Sequence, residues 1–230
     1  MDLAEAILAE TLPSYQATSL DDRNLGFGHI FYALTRVLRP RRVLVIGSKA
    51  GFSVICFAVA LKDNAGVGIE SVGCYETAVL ENRLGALQFI DPSLDEAKGE
   101  EAHWHGIGFW NDPAAVEAHW KRFGVADVVQ HHKCTSAEFL ANTPPAAGEI
   151  DILYIDGDHS YAGFLHDFTA FYPFLRKDAL VLAHDVDPAL QQLDPNVGGY
   201  RALTELDPAL FEVLRIPVFP GLAVARKLAE

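Results

Sequence analysis

Short apolar runs alternate with longer apolar or amphipathic stretches along this chain. "RRVLVIG" (41–47) is rich in β-branched residues and ends in glycine, which predicts a strand and a tight turn. "GFSVICFAVALK" (51–62), directly behind it, has the length and composition of a buried helix. "ALQFID" (86–91), "VADVVQHH" (125–132), "IDILYID" (150–156) and "ALVLAHD" (179–185) read as further strands. Between the last two, Tyr161, Phe164, Phe168, Phe171 and Leu175 recur at steps of three and four, the period of one helix face, and Ser160 stands where it can cap the start. Strands alternating with helices predict an α/β fold: a mostly parallel, doubly wound sheet covered on both faces. The last two apolar runs, "LFEVLRIPVF" and "GLAVARK", are separated only by "PG", too short for a helical crossover, so the C-terminal strand should be antiparallel. Two stretches, 63–85 and 92–113, fit neither pattern. Loops of that length in a compact domain usually carry substrate or partner contacts.

In an open parallel sheet, ligands bind outside the carboxyl ends of the strands. Gly47, Asp91, His131/His132, Asp156 and His184/Asp185 all fall at such ends. The stretch "IDILYIDGDHSY" goes further, placing Asp156, Asp158 and His159 within four positions of a strand that reads as wholly buried. Taken singly, each has a plain structural reading. Gly47 and Gly51 would let a helix approach a strand, Asp158 would shape a turn, and His132 would be a solvated loop residue. Their recurrence along one rim points to a binding site.

Composition narrows the ligand. The chain has 230 residues, half of them hydrophobic, which suits one large core: a single domain over 1–230, with a helical segment over about 1–40 ahead of the binding core. A net charge of -13 argues against nucleic acid and against docking on anionic lipid, leaving small-molecule or protein partners. "MDLAEAILAE" is acidic where a signal peptide would be basic, and the longest apolar run, "FSVICFAVAL", is too short to span a bilayer, so a cytoplasmic protein is expected. Cys56, Cys74 and Cys134 form no CxxC pair and read as buried thiols. The pairs His103/His105 and His131/His132 match no zinc-ligand spacing.

With these residues in view, "VLVIGSKAGFS" is similar to the first motif of class I S-adenosylmethionine (SAM)-dependent methyltransferases. "FIDPS" resembles their second-strand acidic motif, and "HHKCTSAEFL" the segment bordering the adenine. "YIDGDHSYAGFLHDFTAFYPFLRKDALVLAHDV" resembles the fourth-to-fifth-strand block of the small-molecule O-methyltransferases, and "PGLAVARK" their last antiparallel strand. The resemblance spans roughly residues 25 to 230 and implies a Rossmann-like class I methyltransferase fold with SAM as cofactor. It also implies positions for the cofactor. Gly47, Ser48 and Gly51 would allow close backbone approach, and Ser53 with free amides of its helix turn would bind the SAM carboxylate. Asp91 would accept from the two ribose hydroxyls, Ser136 would sit by the adenine, and Asp156 would lie where the amino-acid end meets the acceptor. Lys49 and Ala50 stand where that motif often has glycines, and Val45 where it often has an acid.

The chemistry implied is O-methylation of a small-molecule hydroxyl, an in-line displacement that needs a positioned nucleophile relieved of its proton. His159 is the candidate general base, since an unperturbed imidazole with pKa ~6.5 is mostly neutral at neutral pH. Asp156, His184 and Asp185 match positions where several relatives hold a divalent cation, but an imidazole replaces one acid, which suits a softer transition metal better than magnesium. Trp104, Phe109 and Trp110 suggest either a planar acceptor or the contact of a homodimer. Two other classes compete: a non-catalytic SAM-binding protein on the same fold, and an oxidoreductase with a nucleotide cofactor. The second lacks GxGxxG at Gly47.

Overall fold

A computed structural model of the chain describes residues 2–11, 16–65, 85–94 and 108–229. Helices α1 (Leu3–Thr11) and α2 (Phe27–Leu38) precede strand β1 (Arg42–Ile46) and helix α3 (Phe52–Ala65). There follow β2 (Ala86–Ile90), α4 (Pro113–Arg122), β3 (Val129–His132), α5 (Ser136–Asn142), β4 (Ile150–Ile155), α6 (Tyr161–Phe171) and β5 (Leu175–His184). The chain closes with α7 (Pro188–Leu193), α8 (Gly199–Thr204), β6 (Phe211–Ile216) and β7 (Leu222–Lys227). The strands form one seven-stranded sheet in the order β3-β2-β1-β4-β5-β7-β6. The first five in that row are parallel, while β7 runs antiparallel to both β5 and β6, as the short "PG" connection requires.

The unbroken apolar strands follow from burial on both faces. Val43 and Val45 of β1, with Ile152 and Tyr154 of β4, join a core beneath α2 and α3 that includes Phe31 and Phe57. Leu44, Ile46, Leu153 and Ile155 face the opposite core, against Phe164, Phe168 and Phe171 of α6. Period-2 alternation therefore sorts one apolar run into two cores. Among the described residues, no helix is long and apolar enough to cross a membrane.

Three boundaries depart from the sequence pattern. β3 begins only at Val129; Val125 donates its N–H to Trp120 O at 3.0 Å, and Val128 lies in the turn before the strand although its carbonyl accepts from Leu87 N at 2.9 Å, both valines being buried. Ser160 caps α6, accepting from Gly163 N at 3.0 Å, but the helix stops at Phe171 and a 3-10 turn over Tyr172–Phe174 makes Leu175 the first residue of β5. Most of the stretches 63–85 and 92–113, with Cys74, His103, Trp104 and His105, lies outside the described residues.

The order also locates a crevice. From β1 the sequence winds outward through β2 to β3, whereas β4 and β5 lie on the other side of β1, so the winding reverses between β1 and β4. Such a reversal opens a gap at the carboxyl ends of those two strands.

Candidate active site

A cavity of about 780 Å³ occupies that gap. Its wall is built from the ends of β1 (Gly47, Ser48), β2 (Asp91), β4 (Asp156) and β5 (His184, Asp185), with Ser136 from α5 and Thr11 and Gln16 from the N-terminal segment. The turn after β1 fits only glycine. Gly47 has φ +72°, and a Cβ there would stand 2.2 Å from the Asp156 carbonyl oxygen. Its N–H donates to Ile90 O and that of Asp156 to Ile46 O, both at 2.9 Å, so the strand ladders continue to the rim.

Two residues of the glycine motif stand behind the wall. Gly51 (φ +85°) makes room for aromatic rings, since a Cβ would meet Trp110 at 3.0 Å and Trp120 at 3.1 Å. Ser53 is buried in the first turn of α3, and its hydroxyl shares a 2.6 Å hydrogen bond with that of Ser48. Ser48 lines the cavity, whereas Ser53, hydrogen-bonded to it, is not part of that lining. Trp110 is likewise no exposed aromatic; it is 3% exposed and stacked on Trp120 with centroids 5.0 Å apart.

Asp91 accepts from Ser93 N at 2.7 Å, and burial pushes its pKa up to about 6 despite the N–H groups of Ser93 and Ser48. Further round the rim, four side chains interlock. His184 Nδ1 lies 3.1 Å from Asp156 Oδ1 and 3.1 Å from Asp185 Oδ1. His159 places Nε2 at 3.5 Å from Asp156 Oδ1 and Nδ1 at 3.2 Å from Asp185 Oδ2. Burial works against the charged His184 ring, yet the carboxylates of Asp156 and Asp185 outweigh it and hold its pKa well above the ordinary histidine value. Burial likewise disfavours ionised Asp156, but His184 and then His159 hold the carboxyl well below its usual range. His159 is also raised, its burial outweighed by Asp156 and Asp185, so the expectation of an unperturbed imidazole is corrected: its neutral form appears at higher pH.

The sequence did not disclose two supports of this cluster. Tyr154 Oη donates to Asp156 Oδ2 at 3.0 Å, and Gln16 Nε2 approaches both Tyr154 Oη and Asp156 Oδ2 at 3.4 Å. Gln16 is too far from both partners in sequence for any local pattern to pair them, whereas Tyr154 and Asp156 stand two apart on one strand. Asp158, by contrast, serves its turn, accepting from Ser160 N at 2.9 Å while also bordering the cavity. His131 stacks on Phe89 at 4.8 Å, and burial takes its pKa down to about 4; His132 packs edge-on against Phe139. Cys56 is buried, its thiol pushed up to about 12, and Cys134 is half-buried.

Asp156, His184 and Asp185 each offer one ligand atom, all within 4.8 Å of one another. Two carboxylate oxygens and an imidazole nitrogen fit a transition-metal ion, with His159 as an outer hydrogen-bond partner to both carboxylates. The same distances also suit a self-contained network in which the imidazolium bridges the acids.

Residues 44–186 match the family described as a methyltransferase domain. The chain belongs to that family. The matched region of this methyltransferase runs from β1 to just past the Asp185 rim and so contains most of the cavity wall. Similar solved structures include the O-methyltransferase TomG from Streptomyces achromogenes in complex with SAM, at 18% identity with a TM-score of 0.61, covering 100% of this chain and 91% of that one. An O-methyltransferase from Bacillus cereus in complex with SAH (S-adenosylhomocysteine) aligns at 16% identity with a TM-score of 0.62, covering 99% and 91%. A SAH-bound methyltransferase from Podospora anserina aligns at 16% and 0.63, covering 100% and 89%. At these identities the likeness is one of fold. A curated relative, the uncharacterized protein y4gI of Sinorhizobium fredii, is 26% identical over 155 residues, which is 67% of this methyltransferase but only 14% of that much longer protein.

Proposed function

We propose that this methyltransferase transfers the methyl group of SAM to a hydroxyl of a small-molecule acceptor in the cytoplasm. The observation that carries the reading is the sharing of one cavity by Gly47, Asp91, Asp156 and His159, at the ends of adjacent strands around the switch point. The glycine turn admits the cofactor's methionine end beside Ser48, with Asp156 at its ammonium group. Asp91, at the end of β2, accepts from the ribose hydroxyls, and Ser136 flanks the adenine. His159 takes the acceptor's proton on Nε2 as the oxygen attacks the methyl group, Nε2 giving up its longer, 3.5 Å contact with Asp156 while Asp185 holds the Nδ1–H at 3.2 Å. SAM complexes of similar folds support the cofactor, and the O-methyltransferases among them support the acceptor class.

Calorimetric titration with SAM and SAH is expected to give micromolar or tighter binding, on the order of -8 kcal/mol. Saturable binding of NAD in their place would overturn the reading. Asp91→Ala should weaken SAM by roughly 1–3 kcal/mol through lost charge-assisted hydrogen bonds. The sign of the pH effect follows from burial. The ionised carboxylate is the better acceptor for two hydroxyls, and with a pKa of about 6 it is the dominant form only above that value. SAM affinity should therefore fall as pH drops through 6 in the wild type, and this fall should be smaller in Asp91→Ala.

Asp156, His184 and Asp185 would hold a divalent cation, which when bound lowers the pKa of the acceptor hydroxyl. We place it as a helper to His159, because His184 is already spaced for hydrogen bonds to both carboxylates. Chelator should accordingly slow turnover without abolishing it. Complete loss, reversed by divalent ions in the wild type but not in Asp185→Ala, would make the metal obligatory. Equal activity with and without chelator, and in Asp185→Ala, would remove it from the reaction.

A further inference from the structure

His159 stands on the connection 156–160, between the end of β4 at Ile155 and the start of α6 at Tyr161. Asp156 and Asp185 hold its ring at the cavity rim, at 3.5 Å and 3.2 Å. Its backbone is held by a part of the chain with no task in the reaction above. Residues 197–205 include α8, and they lie beyond residue 186, where the family match ends.

Three successive residues are gripped there. The His159 carbonyl accepts from Gly198 N at 2.9 Å. Ser160 pairs with Val197 in an isolated antiparallel bridge. Tyr161 donates from Oη to Glu205 Oε2 at 2.5 Å, and the Arg201 guanidinium covers its ring at 4.2 Å while pairing through Nε with Glu205 Oε1 at 2.9 Å. Gly198 is where the two segments press together. A Cβ on it would stand 2.2 Å from Tyr161 Cα and 2.4 Å from Tyr161 N. Its φ of -116° lies outside the left-handed region, so glycine is required here by the close approach and not by its own backbone.

A carbonyl bond, a bridge and a ring grip on consecutive residues leave the His159 backbone little freedom to shift. A proton acceptor needs that restraint, because misplacing a reacting group by about 1 Å can cost about 10²-fold in rate. We propose that residues 197–205 form a clasp that sets the position of the His159 imidazole, with Gly198 as its positioning residue. The inference rests on the role given to His159 in the proposed methyl transfer and names what places that side chain.

The test reads the ring itself. Diethyl pyrocarbonate acylates free imidazole nitrogen, and peptide mass spectrometry follows His159 against the exposed His29 of α2 in the same sample. Calorimetric titration with SAH runs alongside. In Gly198→Ala the added Cβ displaces Tyr161 and draws His159 off its carboxylates. Modification of His159 relative to His29 should then rise about tenfold, the population gained on losing a hydrogen bond to a charged group. SAH affinity should stay near that of wild type, since Gly198 is not part of the cavity lining. Arg201→Ala loosens the clasp without crowding it, and a rise of about two- to threefold is expected from an ion pair whose members are 56% and 46% exposed. This surface variant keeps the proposal open to refutation if Gly198→Ala does not fold. Wild-type reactivity of His159 in both variants would overturn the proposal, and so would a rise matched by loss of SAH binding, the mark of general loosening. A wild type that binds no SAH would overturn the methyl-transfer reading and the clasp's purpose with it, whereas unchanged His159 reactivity would overturn the clasp alone.

Discussion

His159→Ala is expected to lower turnover about 10²–10⁴-fold while leaving SAM affinity nearly unchanged, because the loss falls on proton transfer and not on the cofactor's contacts. The imidazole lies on the cavity rim between Asp156 at 3.5 Å and Asp185 at 3.2 Å. Those carboxylates raise its pKa, so the proton-accepting form gains population as pH rises, and the ascending limb of the wild-type rate profile should lie above the ordinary histidine range. The limb should disappear in His159→Ala. Steady-state turnover across a pH series, with SAM affinity measured alongside by calorimetry, checks both statements. Unimpaired turnover in the variant would make the histidine a brace for the two acids and leave proton removal to another group.

Gly47→Ala should cost roughly 2–5 kcal/mol of stability and weaken SAM at least tenfold. Two penalties combine there: a left-handed backbone disfavoured for any residue with a Cβ, roughly 1–2 kcal/mol, and an overpacked contact worth roughly 1–3 kcal/mol more. The contact is between a Cβ and the Asp156 carbonyl at 2.2 Å, so relief requires β1 and β4 to part at the rim of the cavity. Gly124→Ala is the matched control. Gly124 has φ +68°, close to that of Gly47, but nothing lies within 4 Å of its Cβ position. Urea unfolding should thus show a loss in Gly124→Ala of about the backbone penalty alone, with SAM binding intact. Equal losses in the two variants would show that the close approach of β1 and β4 contributes nothing.

What the sequence discloses here is what local chemistry controls. β1, β2, β4 and β5 stand out because apolar runs stop abruptly at Gly47, Asp91, Asp156 and Asp185, where backbone leaves the sheet and polar groups meet the cavity. α6 is legible from the period of its aromatic residues, and its end is missed because Leu175 stays in phase by chance after the 3-10 turn. Val125 and Val128 mislead for a related reason: burial selects apolar residues in a turn as firmly as in a strand. The Ser53 hydroxyl is hydrogen-bonded to that of Ser48, a pairing that only the fold shows. Gln16 escapes altogether, since it acts through partners that tertiary folding alone supplies.

The reach of Gln16 to Asp156 has a consequence for how such proteins diversify. The family match starts at Leu44, yet Thr11 and Gln16 border the same cavity, and Gln16 Nε2 reaches the Asp156 carboxylate. The N-terminal segment thus contributes to the cavity wall from outside the matched region. Grafting residues 1–40 of one homologue onto the sheet of another would be the direct way to exchange acceptor preference without rebuilding the chemistry.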